Sequence, residues 1–127
     1  MSDERTKEPQ YQRGLEMYRE AAETLGPMTT QVWQDDPRRL TFVLARYKFV
    51  AKMLSGKRRV LEVGCADAFG TRIVQQEVGS VVAIDFDPVF IKDVQNRMRQ
   101  PGRSSAGSTT CSTDRSCRRS RPHTRST

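Results

Sequence analysis

Val60-Leu61-Glu62-Val63-Gly64-Cys65-Ala66-Asp67-Ala68-Phe69-Gly70 runs from a short apolar strand, past an acidic residue, through a loop of small side chains and into a helix. In an open α/β sheet such a strand end is where a nucleotide-like ligand settles. The small residues let backbone approach the ligand closely, and the following helix offers free N–H groups at its start. A second stretch, Ser80 to Phe86, is β-branched and continuously apolar up to Asp85, as expected of a central parallel strand buried on both faces. Asp85 follows Gly64 at about the 20-residue offset where a carboxylate hydrogen-bonds ribose hydroxyls. Phe86, next to it, offers a flat ring for a purine.

Outward from these strands the pattern is helical. Thr71 to Val78 continues as a helix with Ile73, Val74 and Val78 inward, and Gly79 ends it. Asp87-Pro88 caps another helix, Val89 to about Arg99, whose apolar side is Phe90, Ile91, Val94 and Met98. Upstream, Asp36-Pro37 opens a helix with a wide apolar face of Leu40, Val43, Leu44, Tyr47, Val50, Ala51 and Leu54, and Gly56 supplies its left-handed end. Trp33, just before it, reads as a packing residue. Further upstream, Tyr11, Leu15, Tyr18, Ala22 and Leu25 form one stripe of a helix from Pro9 to Leu25, which Gly26-Pro27 stops. The order helix, helix, strand, helix, strand, helix contains one strand–helix–strand crossover unit.

Charge and composition change after residue 100. The whole chain carries a formal +7, yet residues 1–100 hold sixteen Lys/Arg against fourteen Asp/Glu. The basicity belongs to residues 101–127, where Ser and Thr make up twelve of 27 residues and Arg six. Such a composition predicts disorder, because too little apolar surface is buried to offset ordering entropy. Near-neutral charge over residues 1–100, with no interleaved aromatics in the tail, argues against a nucleic-acid partner. Reverse translation of Ser108 to Cys117 with G/C-rich codons, shifted by two bases, permits Phe-His-Asp-Met-Leu-Asp-Gly-Pro-Val-Val. That pattern reads as a further strand and loop, so the tail is expected to be a frameshifted or truncated version of a longer α/β protein. Cys65 is the one cysteine before the tail; Cys111, Cys117 and His123 do not form a zinc pattern, and no metal is expected. No apolar run approaches the ~20 residues that span a bilayer, which predicts a cytoplasmic protein with no membrane partner.

The Leu61–Gly70 stretch resembles the first motif of class I S-adenosylmethionine-dependent methyltransferases, an acidic residue followed by three alternating glycines. Val81-Val82-Ala83-Ile84-Asp85-Phe86-Asp87-Pro88 resembles the strand-2 motif of the same family. The resemblance covers about Trp33 to Arg99. It implies an incomplete Rossmann-like α/β fold: a helical cap over residues 1–56, a partial cofactor-binding domain over 57–100, and a disordered basic tail over 101–127. It also implies S-adenosyl-L-methionine as cofactor and methyl transfer to an acceptor, and the near-neutral charge of residues 1–100 favours a small-molecule substrate over nucleic acid. Glu62, Gly64 and the Cys65–Ala66 backbone would surround the methionine part, Asp85 would bind the ribose, Phe86 would border the adenine, and Asp67 and Phe69 would line the pocket. Two departures stand out. Ala66 and Ala68 replace the second and third glycines, and an alanine held at positive φ costs ~1 kcal/mol.

A nicotinamide-binding oxidoreductase is the nearest rival, but its Gly-x-Gly-x-x-Gly fingerprint fails at Ala66 and Phe69. An inactive pseudoenzyme or interaction module is the non-enzymatic alternative. No catalytic base stands out. The family's later strands build the substrate pocket, so the 127-residue chain alone is expected to be poorly stable and inactive.

Overall fold

A computed structural model of the chain describes residues 5–98 and 108–112. A 3-10 turn, Pro9–Tyr11, leads into α1 (Gln12–Ala21), α2 (Pro27–Asp35) and α3 (Pro37–Met53). Next come β1 (Arg59–Val63), α4 (Thr71–Gln75), β2 (Ser80–Ile84), α5 (Pro88–Met98) and β3 (Ser108–Ser112). The three strands form one parallel sheet in the order β1-β2-β3, with Arg59 opposite Ser80 and Ser80 opposite Ser108. This is a partial Rossmann-like α/β arrangement.

Several boundaries reflect local chemistry. The Asp36 carboxylate accepts the Arg38 N–H at 3.1 Å and Pro37 fills the first position of α3. Gly56 lies at φ +79 just past the helix, the left-handed residue that lets the chain turn away. The Asp87 carboxylate accepts the Val89 N–H at 3.0 Å at the start of α5.

The structure differs from the sequence reading in several places. The helix expected from Pro9 to Leu25 ends at Ala21, and its stripe is not buried: Tyr11, Tyr18 and Leu25 are exposed. Gly26-Pro27 begins α2 and does not merely stop a helix, because Pro suits a first helical position. Trp33 lies within α2, exposed. On α5 the inward residue of the last turn is Arg97, with Met98 more exposed. Finally, Ser108–Ser112, within the segment expected to be disordered, pairs with β2. An unpaired strand edge is a template for any extended chain, and Thr suits a strand. The rest of residues 101–127, with Cys117 and His123, lies outside the described residues.

One face of the sheet is covered. Ala51, Val74 and Val81 form a buried cluster with Tyr47, Leu54, Val60, Ile73 and Val78 against it. Cys65, Ala83, Ile91 and Val94 form a second cluster. The alternation of β2 puts Val81 and Ala83 on this covered side. On the other face Leu61 is 59% and Val63 73% exposed, and Val82 and Ile84 are half-buried. Among the described residues, β2 is therefore central in pairing but not buried on both faces as expected.

Candidate functional site

The two strand ends meet. The Ile84 carbonyl accepts the N–H groups of Gly64 and Cys65, at 2.8 and 3.1 Å. One residue further on, the Ala66 N–H donates to Asp85 Oδ2 at 2.8 Å, and Asp87 N–H donates to Asp85 Oδ1 at 2.9 Å. Asp85 is buried and its carboxylate sits between the small-residue loop and the start of α5. Phe86 projects beside it, 89% exposed.

The loop takes its shape from three left-handed residues. Gly64 lies at φ +76, Ala66 at φ 48 and Ala68 at φ 52. The two alanines thus occupy backbone that favours glycine, and each stores of order 1 kcal/mol of strain. At Gly64 an added Cβ would meet no atom within 4 Å, so that position opens onto free space where a ligand can approach the backbone.

Glu62 takes a hydroxyl from the protein on each of its carboxylate oxygens. Its Oε1 accepts the Tyr47 hydroxyl at 2.5 Å, and its Oε2 accepts the Thr71 hydroxyl. Burial, and then the bond to the Glu62 carboxylate, push the Tyr47 phenol well above its ordinary pKa. Tyr47 crosses the loop–helix junction where an added Cβ on Gly70 would overlap its ring, so Gly70 is there for close approach.

Asp67 is likewise turned inward and buried. Its carboxylate accepts the Thr29 N–H at 2.7 Å and the Thr29 hydroxyl at 3.1 Å, and its carbonyl accepts from the Arg97 guanidinium. Arg97 also bonds Asp93 at 2.9 Å. The Cys65 side chain belongs to the core, 3% exposed. Phe69 lines a cavity of about 740 Å³ with Tyr18, Leu44 and Ile73, on the helical side of the sheet.

Of the eight residues singled out from the sequence, the structure thus gathers Gly64, Ala66, Asp85 and Phe86 at the open mouth. It holds Glu62, Asp67 and the Cys65 side chain within the protein and turns Phe69 toward the helices. Tyr47, Thr71, Thr29 and Arg97 were not foreseen. The signals that point to them are Gly70 and Gly26, glycines at close crossings, and a lone arginine at the inward spacing of α5. Among the described residues no group of acidic, histidine or cysteine side chains is placed to hold a metal, and no helix is long and apolar enough to cross a membrane.

No protein-family model matches the chain, and no curated protein does. Solved structures similar to it include 23S rRNA methyltransferase ErmE, at 21% identity and a TM-score of 0.42, covering 56% of this chain and 27% of that one. A dimethyladenosine transferase from Plasmodium falciparum matches at 22% identity and a TM-score of 0.45, covering 63% and 28%. N-methyltransferase NodS from Bradyrhizobium japonicum WM9, in complex with S-adenosyl-L-homocysteine, matches at 19% identity and a TM-score of 0.44, covering 79% and 46%. The chain spans less than half the length of each of these. An rRNA methyltransferase and a dimethyladenosine transferase among them correct the expectation set against a nucleic-acid partner, which rested on net charge and on the tail's lack of aromatics. These similar structures are all methyltransferases.

Proposed function

We infer that the chain carries the cofactor side of an S-adenosylmethionine-dependent methyltransferase. The observation that carries this reading is the Ala66 N–H to Asp85 bond at 2.8 Å, which brings both strand-end motifs to one mouth. The residues there suit the cofactor. Asp85 uses one oxygen for each of two N–H donors, and a carboxylate has about four acceptor sites, so capacity remains for ribose hydroxyls. The open space over Gly64 admits the amino-acid part, and exposed Phe86 offers a face to the adenine. Besides its expected place beside the methionine part, Glu62 braces α3 and α4 against β1, which helps to fix the loop.

When bound, the cofactor supplies an electrophilic methyl group on a sulfonium. The chain's own contribution is positioning, which alone lowers a transfer barrier substantially. Small molecules and RNA are the two acceptor classes to test, the second because the similar structures include an rRNA methyltransferase. A reducing, cytoplasmic setting goes with Cys65 as the one cysteine of residues 1–100.

The test is calorimetric titration of the chain with S-adenosylhomocysteine and, separately, with NAD. S-adenosylhomocysteine binding, weak in the isolated chain and reduced at least tenfold by Asp85→Ala, is the expected result. Binding of NAD in preference, or an affinity unchanged by Asp85→Ala, overturns the reading.

A further inference from the structure

We propose that Asp67 is a latch that couples the helical segment α1–α2 to the loop between the two strands. Its action on ligand affinity rests on the cofactor reading above; its action on α2 does not. The starting point is how α2 begins. Its N-cap, Gly26, has no side chain with which to satisfy the first free N–H groups. The missing cap arrives from another part of the chain, because Asp67 Oδ2 accepts the Thr29 N–H and Oδ1 accepts the Thr29 hydroxyl. A carboxylate at a helix N-terminus is favoured by both the hydrogen bond and the helix dipole. Gly26 is required for this approach, since an added Cβ would overlap the Asp67 carboxylate.

Little of the segment is buried. Thr29 is the one buried residue of α2, and α1 has none. Asp67 itself is firmly held. Its carbonyl takes the Arg97 guanidinium from α5, and it lies between the left-handed Ala66 and Ala68. The residue before it, Ala66, donates to Asp85. A ligand that engages Asp85 therefore acts on a loop segment tied directly to the N-terminus of α2. Breaking either end strands buried polar groups, which is costly. Ligand and segment are thus linked, and linkage is reciprocal: whatever docks α2 more firmly raises ligand affinity, and the ligand steadies α2.

Amide hydrogen exchange on the full 127-residue chain tests this, with S-adenosylhomocysteine as the probe ligand. Without ligand, Asp67→Ala is expected to speed exchange of amides 30–35 about tenfold while leaving β2 amides unchanged. Asp67→Asn, which keeps an acceptor, falls between the two. In the wild type, S-adenosylhomocysteine is expected to slow both loop amides 64–66 and amides 30–35, and the second effect shrinks in Asp67→Ala. If Asp67→Ala also exposes β2 amides, Thr29→Val replaces it; that change removes the hydroxyl bond alone and is expected to speed amides 30–35 about threefold. Unchanged α2 exchange in a variant with intact β2 overturns the latch. Loop protection without α2 protection overturns the coupling. A ligand that protects no amide at all refutes the cofactor reading and the coupling together, while the α2 exchange of the variants still decides the latch.

Discussion

The Tyr47 hydroxyl on α3 donates to Glu62 Oε1 at the end of β1 at 2.5 Å, with the Tyr47 ring packed across Gly70. This bond joins the helical part of the chain to the sheet at the mouth of the site. Tyr47→Phe is expected to cost about 1–2 kcal/mol in urea unfolding at neutral pH, because it leaves a half-buried carboxylate oxygen short of a donor. The pH dependence has a definite sign. An unfolded tyrosine ionises near ~10, and burial with the neighbouring carboxylate raises the folded value. The stabilisation is therefore complete below about pH 10 and drains as pH rises toward the folded value. The gap between wild type and Tyr47→Phe should be constant from pH 7 to about 9 and narrow above about 10.

The left-handed alanines make a second prediction. Replacing Ala66 by Gly removes ~1 kcal/mol of strain and gives back part of it as unfolded-chain entropy, for a net gain of about 0.5 kcal/mol. At Gly64 the converse change, Gly64→Ala, should cost about 1 kcal/mol through backbone conformation alone, since its Cβ meets nothing. Gly70→Ala should cost more, upward of about 2 kcal/mol, because its Cβ would overlap the Tyr47 ring. Urea midpoints for the three variants check both the signs and the order.

These contacts also mark how far the sequence could be read. Asp36, Gly56 and Asp87 carry their signals locally, and α3, α5 and the two strands lie close to their expected limits. The meeting of the Gly64–Ala66 loop with Asp85 was legible because both lie at the ends of consecutive parallel strands. The start of α2 was not legible, because its cap comes from Asp67, far along the chain, and no local pattern records a distant cap. Pro27 compounded this, since one proline can equally stop the helix before it or start the helix after it. The partners of Glu62 were hidden for a related reason: Tyr47 looked like one more member of an apolar stripe until its hydroxyl was placed.

Arg97 is a buried charge that must keep its partners. Arg97→Met should destabilise by about 2–4 kcal/mol, because the Asp67 carbonyl and the Asp93 carboxylate each lose a donor. Arg97→Lys keeps the charge but not the fork that serves both, and should fall between wild type and Arg97→Met. Chemical denaturation of the three proteins side by side decides this.

The open face of the sheet predicts behaviour in solution. Leu61 contributes apolar surface there at 59% exposure, beside Val63. Leu61→Lys is expected to change unfolding free energy by less than about 0.5 kcal/mol while lowering light scattering in concentrated samples. Equal scattering from both proteins would show that this face does not drive association.

The Ile84 carbonyl, which takes both Gly64 and Cys65, has a kinetic consequence. It makes the loop an extension of the β1–β2 ladder, and that ladder needs only the chain from Arg59 to Asp85. Closing so short a stretch costs less chain entropy than the longer closure that brings in β3. On the ribosome, the loop and its carboxylate partner can be assembled as soon as Asp85 is clear of the exit tunnel, before β3 reaches the sheet.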